Sequence, residues 1–203
     1  MTGRTHLAVG TAAALVFTKP QNLKEFTLCL GIASIGSLIC DIDVKSTKSH
    51  KTVNRIIPLA IFAAILCAYM EYSWKVGILN SFQKDSNGVR LIIGLAVFLA
   101  ICAYGKEQPH RSFMHSMIAL VLLTGTVYVM FPTVAEYFGV AMCSHMVIDT
   151  LNYKNVRLFY PFKGGISFNI CHAKGAINNY VGYTAMLIAL LECISFAKIY
   201  LLG

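Results

Sequence analysis

Charge is what this sequence has least of. Asp, Glu, Lys and Arg make up 13% of its 203 residues, where a soluble domain carries about 25%. With 57% hydrophobic residues and a mean hydropathy of +0.65, a water-soluble fold of this size could not hide its apolar surface. The bilayer is the expected solvent. Intrinsic disorder and collagen-like repetition are excluded by the same composition. The seven cysteines are odd in number, scattered, and never spaced as Cys-x-x-Cys. That argues against disulfides and thiolate zinc sites and leaves them as small apolar packers. There is no P-loop, no dinucleotide fingerprint and no Gly-x-Ser-x-Gly elbow.

What is present is a series of seven apolar stretches. Residues 56–74, 89–105, 113–131 and 181–202 are the clearest, and 24–40 is apolar despite Glu25. Residues 133–151 carry Glu136, His145 and Asp149 within them, and an ionisable residue at membrane depth marks a functional site by default. Residues 5–18 are fewer: at 1.5 Å rise, 14 residues reach about 21 Å against a hydrocarbon core of about 30 Å. This first helix is expected to be short, re-entrant or sunk to one side. One Arg precedes it and no small-residue cleavage site follows before Lys19, so it reads as a retained helix and not as a secretory signal. The expected fold is all-α: a polytopic membrane protein of six to seven apolar helices, one helical domain over residues 1–203, with a metal site at one membrane face.

If all seven stretches cross, the N-terminus and residues 41–55, 106–112 and 152–180 share one side. That side holds 11 of the 17 basic residues, which makes it cytoplasmic by the positive-inside rule. The chemistry-bearing polar residues fall into five groups: Thr5 with His6, Asp41-Ile42-Asp43, Ser49 with His50, His110 to Ser116, and Ser144 to Asp149. All five lie at that same face. Polar residues retained only for packing would fall on both.

His145 and Asp149 are four apart, so on a helix they project from one face and can grip one ion. A private His–Asp hydrogen bond is the plainer alternative, but a carboxylate at this depth wants a cation. Between His110 and His115, Pro109 breaks the chain and Ser112 is a cap candidate that places His115 in a first helical turn; this break lets both imidazoles converge. Arg111 is then a fixed cation near a helix N-terminus, suited to an anionic substrate. Asp41 and Asp43, two apart, point the same way if the backbone there is extended. His6 stands behind the cap-like Thr5, and His50 lies in a Lys-rich loop where ligation and solvation are equally expected. His172 is given no role. Imidazoles with carboxylates suit zinc first and manganese second. Seven or eight ligands (His6, Asp41, Asp43, His110, His115, His145 and Asp149, with His50) are too many for one tetrahedral ion and suit two or three.

The ordered set of Thr-His near the start, Asp-x-Asp, His-Arg-x-x-x-His-Ser, and Ser-His-x-x-x-Asp before a Tyr-Pro-Phe loop resembles the LexA-regulated inner-membrane metal-dependent hydrolases of the YdjM type. The resemblance runs from Thr5 to about Phe162 and would place a Pro where this chain has Cys40. It implies a bacterial inner-membrane, multi-span, metal-dependent hydrolase whose motif residues are His6, Asp41, Asp43, His110, Arg111, His115, His145 and Asp149. In ligand order the chain is also distantly similar to zinc-dependent phospholipase C and the P1-type nucleases. The expected activity is cleavage of a phosphoester or ester in a lipid or lipid-linked phosphate by a metal-activated water. Arg111 and Asp43 would take part in catalysis, while Arg111, Lys154, Arg157 and Lys163 would hold an anionic headgroup. The alternative is a metal-ion or small-solute transporter using the same cluster in transit. Nucleic-acid binding is set aside, because the basic residues are spread over several loops.

Overall fold

The computed structural model describes residues 1–44, 69, 73, 88–173 and 175–202. Six α-helices lie among them: α1 (Gly3–Thr18), α2 (Leu23–Ile39), α3 (Gly88–Glu107), α4 (Met117–Met130), α5 (Ala135–Thr150) and α6 (Ala176–Leu202). Most of the apolar stretch 56–74, together with His50 and Lys174, lies outside the described residues.

Two regions of helix are long and apolar enough to cross a bilayer, Leu23–Asp43 and Ala176–Tyr200, each with mean hydropathy 1.6. Of the six to seven spans expected, the described residues show two candidates. The helices α1 and α5, of 16 residues each, and α4, of 14, rise about 21–24 Å, less than the hydrocarbon thickness of about 30 Å.

The helices α1, α2 and α5 pack against one another, α6 lies against α1, and α4 packs between α3 and α5. Small residues set the closest approaches, as is usual where helices meet without a hydrophobic driving force. A Cβ on Gly36 of α2 would come within 2.6 Å of the Phe138 carbonyl of α5, and one on Gly10 of α1 would overlap the Ser37 side chain. The core between them holds Leu15, Leu28, Leu123, Phe138 and Met142. Outward faces are apolar as well: Leu187, Leu190, Leu191 and Ile194 of α6 and Ile92, Ile93 and Leu99 of α3 are exposed, as lipid-facing side chains are.

This arrangement brings six helix ends together. The starts of α1, α4 and α6 and the ends of α2, α3 and α5 converge on one end of the bundle; the short α1–α2, α3–α4 and α4–α5 connections each reverse the chain. Every helix that carries a candidate ligand presents it at that end.

Candidate metal centre

Local backbone geometry aims each ligand. In α1 the cap is Thr2, whose hydroxyl accepts the Thr5 N–H at 3.4 Å. Thr5 is therefore inside the first turn, not at the cap the sequence suggested, and His6 follows it into the core. The α2 chain tightens into a 3-10 turn, Cys40–Asp43. With three residues per turn, positions two apart diverge by about 120°, so Asp41 and Asp43 do not point the same way as an extended backbone would require. Asp41 turns to His115 and His145, and Asp43 to His110 and Arg111.

The helix entry expected at Ser112 occurs later. The Ser112 hydroxyl is engaged with the Pro109 carbonyl, while Ser116 caps α4 by accepting the Ala119 N–H at 3.2 Å. His115 consequently sits in a 3-10 turn, Phe113–His115, ahead of the helix. The reversal that joins His110 to His115 is made at Arg111, which adopts φ 66°, an uncommon conformation for a side-chain-bearing residue. The two imidazole ring centres end 5.1 Å apart.

The result is a cluster. His115 Nε2 and His145 Nε2 are 3.3 Å apart. His115 Nε2 lies 3.5 Å from Asp149 Oδ2 and 3.9 Å from Asp41 Oδ1; His145 Nε2 lies 3.7 Å from Asp41 Oδ1 and 3.9 Å from Asp149 Oδ2. Ligands about 2.0–2.2 Å from a tetrahedral ion are about 3.3–3.6 Å from each other. The His115, His145 and Asp149 atoms, on the turn before α4 and on α5, are thus near the spacing of three ligands on one ion, and Asp41 Oδ1, from the 3-10 turn after α2, stands within 3.9 Å of both imidazoles. Three triads, His6–Asp41–His145, Asp41–His110–His115 and His115–His145–Asp149, can each present ligand atoms within 4.8 Å of one another. Asp41, His115 and His145 each belong to two of them, so the ligands are continuous.

Surrounding bonds orient these ligands in the manner typical of metal sites. The Ser37 carbonyl, in the last turn of α2, accepts from His145 Nδ1 at 2.6 Å. A carbonyl can only accept, so Nδ1 carries the proton and Nε2 presents its lone pair to the cluster. Asp43 does the same for His110 Nδ1 at 2.7 Å, and its other oxygen accepts the Arg111 N–H at 3.2 Å and lies 3.5 Å from His115 Nδ1. Asp43 thus stands behind the histidines and outside the three triads. His6 stacks on His145 with ring centres 3.6 Å apart, its Nε2 3.2 Å from Asp149 Oδ1 and its buried Nδ1 without a hydrogen-bond partner among the described residues.

The Arg111 guanidinium reaches Asp149 Oδ2 at 3.2 Å and donates to the Lys154 carbonyl at 2.6 Å. It is a buried brace of the site more than a free surface cation. The Met1 amine donates to Asp149 Oδ1 at 2.7 Å. Burial alone would push the His115 imidazole down, but the facing carboxylates of Asp149 and Asp43 raise it to about 9. The pocket demands positive charge, and in the bare protein a proton supplies part of it. Access is from the side of Asp41 and His110, whose side chains are 20% and 36% exposed; His6, His115, His145 and Asp149 are buried.

Lys154, Arg157 and Lys163 stand exposed in the loop after α5, outside the cluster. His172 is also away from it, stacked on Tyr153 with ring centres 4.3 Å apart. One residue escaped the sequence reading: Asn178 of α6, buried, whose side-chain oxygen accepts the Thr2 N–H at 3.1 Å and the Thr5 hydroxyl at 3.0 Å. It pins α6 to the turn that carries His6. An Asn pair, Asn178-Asn179, at the start of an apolar helix was the available signal. Nothing in the sequence could have revealed the Ser37 carbonyl.

A family model described as YdjM inner membrane protein matches residues 1–201, and the chain belongs to that family. No curated protein and no solved structure matches it.

Proposed function

We propose that this member of the YdjM inner membrane protein family is a membrane-embedded, metal-dependent hydrolase that cleaves a phosphoester or ester in a lipid or lipid-linked substrate. The observation that carries the reading is the four-atom arrangement of His115, His145, Asp41 and Asp149, with His145 held in a ligand-ready tautomer. His6 and His110 extend the donor set, enough for two or three ions, and imidazole with carboxylate suits zinc, then manganese. A bound divalent ion would supply Lewis acidity and acidify a water at neutral pH.

The residues of the chain do the rest. Asp43 holds the His110 and His115 rings in place, and Arg111 braces Asp149 while keeping positive charge next to the cluster. The partly open side at Asp41 and His110 is where a substrate would enter. Lys154, Arg157 and Lys163 offer cations to an anionic headgroup. A cluster at one end of the bundle lets a lipid reach it laterally from one leaflet, which is set on the cytoplasmic side by the basic-residue bias. A transit site for transport would need polar groups along the depth of the helices, and α4 offers only Thr124 and Thr126 there.

The test is metal analysis of the purified, metal-repleted protein, followed by turnover of phosphoester and ester lipids by wild type, His145→Ala and Asp149→Asn. Wild type is expected to hold stoichiometric metal and both variants to lose metal and activity together. Wild type without metal would overturn the proposal; bound metal with Asp149-dependent ion flux in proteoliposomes and no turnover would favour the transporter.

A further inference from the structure

The loop between α5 and α6 folds into a small excursion of its own. Val156 and Ile166 exchange both backbone hydrogen bonds at 2.9 Å, and Asn152 bridges to Cys171 at the root. Its inner side is fastened to the bundle: Arg157 N–H donates to the Arg111 carbonyl at 3.0 Å, Met117 N–H donates to the Leu158 carbonyl at 2.9 Å, and the Tyr160 and Tyr104 hydroxyls meet at 3.0 Å. Its outer side carries Phe159, Phe162, Phe168 and Ile170, with Phe162 76% and Phe159 65% exposed. A loop held this firmly could turn such rings inward if water were its only neighbour. Interleaved with them are Lys154, Arg157 and Lys163, also exposed, and no acidic residue occurs between Thr150 and Glu192. Among the described residues none of these three cations forms an ion pair with a carboxylate.

Position decides what this surface meets. The loop lies at the bundle end where the candidate span Leu23–Asp43 finishes and the candidate span Ala176–Tyr200 begins, which is the level of the headgroups. Aromatic rings concentrate at that level, and neighbouring Lys and Arg are drawn to anionic lipid there.

We propose that residues 153–170 form an interfacial anchor, in which Phe159, Phe162 and Phe168 enter the headgroup region of the leaflet and Lys154, Arg157 and Lys163 select anionic phospholipid. The anchor rests on the chain being embedded in a membrane and not on hydrolysis or metal. It also gives the leaflet a grip on the metal centre, since the Arg157 N–H and the Lys154 carbonyl both hold Arg111, and Arg111 holds Asp149.

The experiment uses the full chain in nanodiscs of phosphatidylcholine with and without phosphatidylglycerol. Phe162→Trp is made with Trp74→Phe, so that the introduced indole is the sole tryptophan; should Trp74→Phe not fold, the difference spectrum against the parent protein serves instead. Blue-shifted emission is expected, with quenching by lipids brominated in the acyl chain. Quenching should be several-fold stronger when the bromine is carried by phosphatidylglycerol than by phosphatidylcholine at equal fraction. The combined variant Lys154→Gln, Arg157→Gln, Lys163→Gln should abolish that preference and keep the quenching by phosphatidylcholine, which also shows that the loop remains folded. Water-like emission without quenching would overturn the anchor. Equal quenching by the two lipids would overturn its selection of anionic lipid.

Discussion

At the scale of the residue, the division of labour between the two acids of Asp41-Ile42-Asp43 is the sharpest result. One faces the cluster and the other orients histidines from behind, so they should fail differently. Asp43→Asn is expected to keep metal at saturation but to weaken its affinity about 10–100-fold, the usual loss for an orienting partner, measured by competition with a chelator. His115 leads to a second prediction. Raised to about 9, it is protonated in the metal-free protein at neutral pH, and an ion can take its Nε2 only by expelling that proton. Metal uptake at pH 7 should therefore release a proton, seen as a dependence of the calorimetric heat on buffer ionisation enthalpy, and affinity should fall as pH is lowered. Because the shift is upward, the matching stabilisation of the metal-free fold is complete below the ordinary value of 6.5 and is lost as pH rises through about 9. Residue types and spacing pointed to all of the residues that converge here. They did not separate ligand from support, because a 3-10 turn and an extended strand project the same two acids in different directions.

At the scale of the element, the site depends on how closely three helices approach. The α2–α5 contact at Gly36 is backbone against backbone; α5 carries His145 and Asp149, and α2 leads directly into the turn that carries Asp41. Gly36→Ala must push them apart and is expected to cost about 1–3 kcal/mol, as overpacking does, and to weaken metal binding although residue 36 touches no ligand. Thermal unfolding in detergent, with and without metal, checks both. The sequence showed apolar stretches near the right places, and five of the six helices overlap them closely. Cap positions were harder to read: Ser112 and Thr5 looked like caps, whereas Ser116 and Thr2 are the caps of α4 and α1, and only the tertiary path showed that the Ser112 hydroxyl was already engaged. The 14-residue estimate for the first helix became 16, still short of a bilayer by length alone.

For the whole molecule, the convergence of helix ends makes sidedness testable. The α1–α2 turn around Gln21 lies at the opposite end of the bundle from Lys163. In a background with the native cysteines replaced, Gln21→Cys should react with a membrane-impermeant maleimide in intact spheroplasts, whereas Lys163→Cys should react only after the membrane is opened. The reverse pattern would place the metal centre outside the cytoplasm. The sequence by itself determined the solvent, the helical class and the shortlist of ligands, because scarce charge in an apolar chain leaves few residues able to do chemistry. Only the tertiary structure decided which atoms face one another. Nitrogen and oxygen atoms from three separate segments come within 4 Å because small residues let the helices close and a carbonyl fixes one ring, and neither long-range distance nor tautomer is written in local pattern.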